Sequence, residues 1–153
     1  NVTVEEPKIL TPNRYLDFGA GFYTTTNYDQ ALNFAGKVTM RKKCGRSTVN
    51  IYELDESIFE KVNVLNFESA DEAWLDFVVA SRNGMKPWAN YDIVEGGVAN
   101  DRVIDTVELY TIGILDKASA LGRLSEHQPN HQICILNQAV LDKYLKFIKV
   151  IEL

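Results

Sequence analysis

Cysteine and histidine are scarce in this sequence, at two residues each. Cys44 and Cys134 lie far apart and form no CxxC pair, so neither a disulfide framework nor a thiolate zinc site is indicated, and a reducing cytoplasm is the expected home. His127 and His131 stand four apart, but Pro129 between them argues against a helix that would present both to a metal, and a loop is the favoured reading. Excess positive charge is also lacking. With 16 Lys and Arg against 21 Asp and Glu, the net charge is -5 and the pI is near 5.0, which argues against general attraction to nucleic-acid phosphate. The dense basic run Arg41-Lys42-Lys43 with Arg46 reads as a solvated helix end. No stretch reaches the roughly 18 to 20 apolar residues that cross a bilayer, so no membrane partner is expected. No charged-then-apolar leader opens the chain, and the methionine-free start at Asn1 suggests a processed or trimmed form. There is no GxxxxGK[ST] loop, HExxH or G-x-S-x-G, and Gly19-Ala20-Gly21 is not followed by the third glycine of a dinucleotide fingerprint.

What is present is an ordinary globular composition, 46% hydrophobic and 24% charged over 153 residues, enough for one domain spanning 1–153. Residues 11 to 17 read as a loop and Gly21 to Thr25 as a short strand. From Asn27, the positions Tyr28, Ala31, Leu32 and Ala35 keep the spacing of one helical face, with Gly45 as the stop. Strands are expected at Thr48 to Leu54 and Val62 to Phe67, followed by an S-x-x-E capping box at Ser69 and Glu72. The next helix carries an apolar stripe of Ala73, Trp74, Phe77 and Val78 and ends near Gly84; core packing is the favoured reading of Trp74. Tyr91 to Val94 reads as a strand broken at Gly96-Gly97, and Asp101 to about Leu124 as helix split near Gly113 to Asp116. Gln132 to Leu136, a short helix capped by Asn137, and Phe147 to Leu153 complete the pattern. Such irregular mixing of strands and helices predicts an α+β fold.

The distinctive stretch is DFGAGFYTTTNYDQALNFA, residues 17 to 35. It resembles the second motif of the ADP-ribosyltransferase superfamily, in its diphtheria-toxin and poly-ADP-ribose-polymerase branch, where an FGxGIYF segment leads into a helix ending in an aromatic residue. Phe18, Gly19, Gly21, Phe22 and Tyr23 match the segment, and Phe34 falls at the second aromatic. The resemblance implies a split antiparallel β-sheet with flanking helices, NAD as substrate, and Tyr23 and Phe34 holding the nicotinamide ring. On the helix Phe34 lies off the Tyr28, Ala31, Leu32, Ala35 stripe, so it need not be core. A flat heteroaromatic cation gains on the order of 0.5 to 2 kcal/mol from each aromatic face. Gly19 and Gly21 would let backbone approach the ligand closely. Taken without the resemblance, FGAGFY also reads as a turn into a core strand, with Phe34 a partly buried flank residue.

The superfamily's third motif is a glutamate near the start of a late strand, and Gln132 stands in that place, with alternation putting Gln132 and Cys134 on one face. The family glutamate hydrogen-bonds the nicotinamide ribose and offsets positive charge as nicotinamide leaves. Gln132 keeps the hydrogen bond without the charge; at about 5 Å and an effective dielectric of about 20 the lost attraction is roughly 3 kcal/mol, about a hundredfold in rate. Single transfer therefore fits better than polymer synthesis. The first motif, a histidine in an HGS-like strand, does not occur in the chain, and the resemblance implies that such a native first strand lies upstream of Asn1.

The combination RYLDFGAGFYTTT, WLDFVVASR and YDIVEGGVANDR further resembles a bacterial family of uncharacterised domains placed in this superfamily, over most of the chain. That similarity makes Arg14, Asp17, Asp101 and Arg102 candidate contacts, Arg14 or Arg102 suiting the NAD pyrophosphate, while a turn-forming role is at least as good a reading of Asp17. The implied function is an NAD-dependent mono-ADP-ribosyltransferase, of the glycosyltransferase class, with Gln132 and Tyr23 at its centre, NAD as its only small-molecule partner and no metal. Its acceptor would be a macromolecule, protein or nucleic acid. A toxin or effector role with an antitoxin partner follows by analogy alone. The competing reading is a non-catalytic module that binds NAD, ADP-ribose or a partner protein.

Overall fold

The computed structural model describes residues 2–99, 101–127 and 130–153, without the side chains of residues 101 and 102. Its elements run β1 (Phe22–Thr24), α1 (Tyr28–Lys42), β2 (Thr48–Leu54), α2 (Ile58–Lys61), β3 (Val64–Asn66), α3 (Glu72–Arg82), β4 (Ile93–Val98), α4 (Asp101–Thr111), α5 (Lys117–Glu126), β5 (Asn130–Ile135), α6 (Gln138–Tyr144) and β6 (Leu145–Glu152). This is an α+β fold. The strands divide into a four-stranded sheet in the order β1-β5-β4-β3 and a separate β2-β6 ribbon. β1–β5, β5–β4 and β2–β6 pair antiparallel, whereas β3–β4 is parallel, so the larger sheet is mixed rather than purely antiparallel.

Local chemistry explains most helix boundaries. Asn27 caps α1 by accepting from the Gln30 amide, and the helix ends at Lys43 in left-handed backbone, two residues before Gly45, with Arg41 and Lys42 in its last turn. Asp71, not Ser69, caps α3: its Oδ1 accepts from the Trp74 amide at 2.9 Å, so the helix starts at Glu72 rather than being boxed by it. Asp116 caps α5, making the expected split between α4 and α5, and Asn137 caps α6. α2 carries only four residues, too short to leave a periodic signature in the sequence.

The Gly96-Gly97 pair does not break β4. Gly96 pairs with Gln132 and Gly97 with His131, and the strand lies between two partners. Ladder hydrogen bonding on the β5 side outweighs the entropic cost of about 0.5 to 1 kcal/mol per glycine. The sheet separates two apolar clusters. One joins Trp74, Leu75, Phe77 and Val78 of α3 to Val103 and Val107 of α4, Ala120 and Leu124 of α5, and Phe18, Val94 and Cys134. The other joins Ile93, Ile133 and Ile135 to Ile58, Leu141, Tyr144 and Leu145. Each fully buried side chain of this kind contributes about 1.5 to 3 kcal/mol. Among the described residues, no helix is long and apolar enough to cross a membrane.

Candidate functional site

Of the residues singled out from sequence, Asp17, Phe18, Gly19, Gly21, Phe22, Tyr23 and Gln132 lie on the turn ahead of β1 and on the β1–β5 pair. Phe18 is fully buried and its ring lies 6.5 Å from that of Tyr23, 6.2 Å from Phe67 and 6.3 Å from Phe77. Beside it, Asp17 is held by Arg82 Nε at 2.6 Å and by the Ala99 amide at 3.1 Å, which ties the turn to the end of α3 and to the segment entering α4. Asp17 is therefore a fastening residue, and Arg82 is its cation. The chain reverses at Gly19, whose φ of +93° is closed to most side chains.

Tyr23 completes the turn from below. Its hydroxyl donates to the Gly19 carbonyl at 2.8 Å and accepts from the Phe18 amide at 3.0 Å. Burial, with the Cys134 sulfur beside it, pushes the phenol well above its ordinary pKa, so it stays protonated. Cys134 lies opposite Tyr23 in the ladder; burial raises its thiol to about 12, leaving it a packing group rather than a nucleophile. The glycines are crowded by protein. A Cβ on Gly19 would overlap the Trp88 indole, and one on Gly21 would meet the Cys134 sulfur. The close approaches for which glycine was read are here made by Trp88 and Cys134.

Antiparallel pairing sets Tyr23 opposite Cys134 and puts Gln132, two residues away, on the same face of β5. Diagonal neighbours of this kind are about 7 to 8 Å apart. Phe22 faces the other side, its ring 5.8 Å from Tyr52 in the second cluster. Phe34 stands on α1, 60% exposed and without a ring contact among the described residues. Arg14 is exposed in the preceding loop and makes no ion pair among the described residues. Asp101 and Arg102 open α4, and their side chains lie outside the described residues, as does Pro129. The structure thus unites Gly19, Gly21, Tyr23 and Gln132, and leaves Phe22, Phe34 and Arg14 apart from one another.

Two features escaped the sequence. His131 Nε2 lies 3.0 Å from Glu95 Oε1 across β5 and β4, and His127 closes α5 instead of joining it. A cleft of about 610 Å³ opens between the β3–α3 connection, the second half of α5, Gly97 and His131. Ion pairing across strands depends on register, which a single strand read by itself does not disclose; the position of His131 directly before Gln132 was the only hint. Among the described residues no group of three His, Cys, Asp or Glu side chains is placed to hold a metal ion.

Fold and site together define an α+β protein with a mixed four-stranded sheet, whose glycine turn and adjoining strands β1 and β5 gather the most constrained polar groups. The chain belongs to the family described as Protein of unknown function (DUF3990), whose model matches residues 1–147. No curated protein and no solved structure matches it.

Proposed function

We propose that this protein binds NAD and transfers its ADP-ribose unit to a macromolecule, releasing nicotinamide. The observation that carries the reading is the placement of Tyr23 and Gln132 on one face of the neighbouring strands β1 and β5, beside the Gly19 turn. In this reading the nicotinamide ring lies against Tyr23, and Phe34, whose ring is exposed, supplies the second aromatic face. Gln132 then hydrogen-bonds the ribose, one short diagonal away. Arg14, exposed and unpaired among the described residues, supplies a cation for the pyrophosphate. A toxin or effector role, with a neutralising partner, belongs to the same reading.

The second reading, a non-catalytic module for NAD or ADP-ribose, is favoured by the neutral side chain of Gln132, which offers no charge to the departing nicotinamide. Titrating the protein with NAD in a calorimeter while following nicotinamide release separates the two. Binding with release supports transfer; binding without release supports the module; neither abolishes both. Phe34→Ala and Gln132→Ala should each weaken binding about tenfold at unchanged melting temperature, since neither side chain belongs to an apolar cluster.

A further inference from the structure

Two segments clasp one another at the Gly19 turn, and the clasp is reciprocal. The Trp88 indole lies on the open face of Gly19, so that a side chain there would run into it, and the Tyr15 ring lies in the same way on Gly84. Both glycines hold left-handed backbone, at φ of +93° and +80°. The two halves of the clasp are not equally fixed. The turn is bonded internally by Tyr23 and pinned through Asp17 by Arg82. The opposing segment, residues 83–92, runs between α3 and β4 without helix or strand. Its main-chain bonds over residues 84–89 are local: Gly84 donates to Ser81, Met85 to Ala80 and Ala89 to Lys86. This stretch is therefore seated on the turn by side chains, by Trp88, partly buried against the first apolar cluster, and by Tyr15 from the other side.

We propose that residues 83–92 form a gate over the Gly19 turn, closed by the Trp88 indole, and that the nicotinamide ring reaches Gly19 by displacing that indole. This rests on the NAD reading. The indole fills the space of a single Cβ on Gly19, so no second ring fits between it and the backbone. A ligand ring that approaches this glycine has to take the place of the indole instead of sliding beneath it. The surface so uncovered suits nicotinamide, since it already carries a larger flat ring, and Tyr23 borders it through the bond from its hydroxyl to the Gly19 carbonyl. Gly84 is the pivot, because glycine turns at little cost in left-handed backbone. Pro87, whose ring locks φ at about −65°, stiffens the arm next to Trp88. Tyr15 is the latch: at 67% exposure, its ring leaves Gly84 with little loss of buried surface. A gate that is closed most of the time lowers the apparent affinity for its ligand by the fraction of molecules that are open.

The test is quenching of tryptophan fluorescence by acrylamide in the full chain, with NAD binding followed by calorimetry. Trp74 is fully buried and donates to the Gly97 carbonyl, so the quenchable emission belongs to Trp88. Saturating NAD should raise the quenching constant about twofold or more as the population shifts to the open gate. ADP-ribose, which has no nicotinamide ring, should leave it unchanged. Tyr15→Ala and Trp88→Ala should each tighten NAD binding about tenfold, the ratio for a gate open in about one molecule in ten. Melting curves establish that both variants fold. NAD binding by the variants and not by wild type also supports the gate. Weaker binding by Trp88→Ala makes the indole a wall of the pocket and overturns the gate. Unchanged affinity in the folded variants, or equal exposure of Trp88 by ADP-ribose, overturns the gate and leaves the NAD reading standing. Failure of wild type and both variants to bind NAD overturns the gate and the NAD reading together.

Discussion

Arg82 Nε donates to Asp17 Oδ1 at 2.6 Å in a setting where the two side chains are 22% and 10% exposed. This pair joins the end of α3 to the residue before the FGAG turn, so the turn is held from outside as well as by its own hydrogen bonds. Removing one partner strands the other charge in a largely dry place. Asp17→Ala should cost about 3 kcal/mol in urea unfolding, and Arg82→Ala a similar amount. The double variant should cost clearly less than the sum, because the second removal relieves the orphaned charge.

Gly19→Ala should destabilise by more than about 2 kcal/mol, since it combines strained backbone with overlap against Trp88. In a Trp88→Ala background the added penalty should shrink toward the backbone cost alone. Gly36→Ala is the opposite case, a helical glycine with open space around it, and should stabilise by about 0.5 to 1 kcal/mol. Thermal melting of the four variants checks both statements.

Alkaline pH should unfold the protein through Cys134 and Tyr23. Both acids have folded pKa values raised above their unfolded ones, the thiol from 9.0 to about 12. Above pH 9 the unfolded thiol loses its proton while the folded one keeps it, so stability is complete below that pH and falls as pH rises toward 12. The slope is at most about 1.4 kcal/mol per pH unit for each group. Cys134→Ala should flatten the decline between pH 9 and 10; a decline unchanged in that variant would refute the assignment.

Thiol labelling offers an independent check of the same burial. Cys44 is exposed and Cys134 buried, so the native protein should react with one equivalent of a maleimide and the urea-unfolded chain with two.

Gln132→Glu addresses the charge that the resemblance to ADP-ribosyltransferases leads one to expect at this strand. If the protein transfers ADP-ribose, this substitution should raise kcat about a hundredfold, the roughly 3 kcal/mol that a carboxylate adds near the developing positive charge. A rate unchanged by the substitution would place the reacting ribose elsewhere.

How much of this was legible in advance varies with the range of the interaction. The sequence by itself determined every described helix except α2 and most strands, because apolar spacing, Asn27, Asp116 and Asn137 act within one turn of chain, and it separated Phe34 from the apolar stripe of α1. It misplaced the cap of α3, where Ser69 and Asp71 offer similar chemistry two residues apart, and it ended β4 at two glycines that the neighbouring strand holds in register. Only the tertiary structure decided that Trp88 and Cys134 fill the space at Gly19 and Gly21, that Arg82 is the partner of Asp17, and that Glu95 meets His131. Each of these joins residues at least 36 positions apart in the chain, Glu95 and His131 being the closest case. Pairings of that kind are fixed by strand register and helix packing, which depend on the whole apolar interior and leave no mark in a local window.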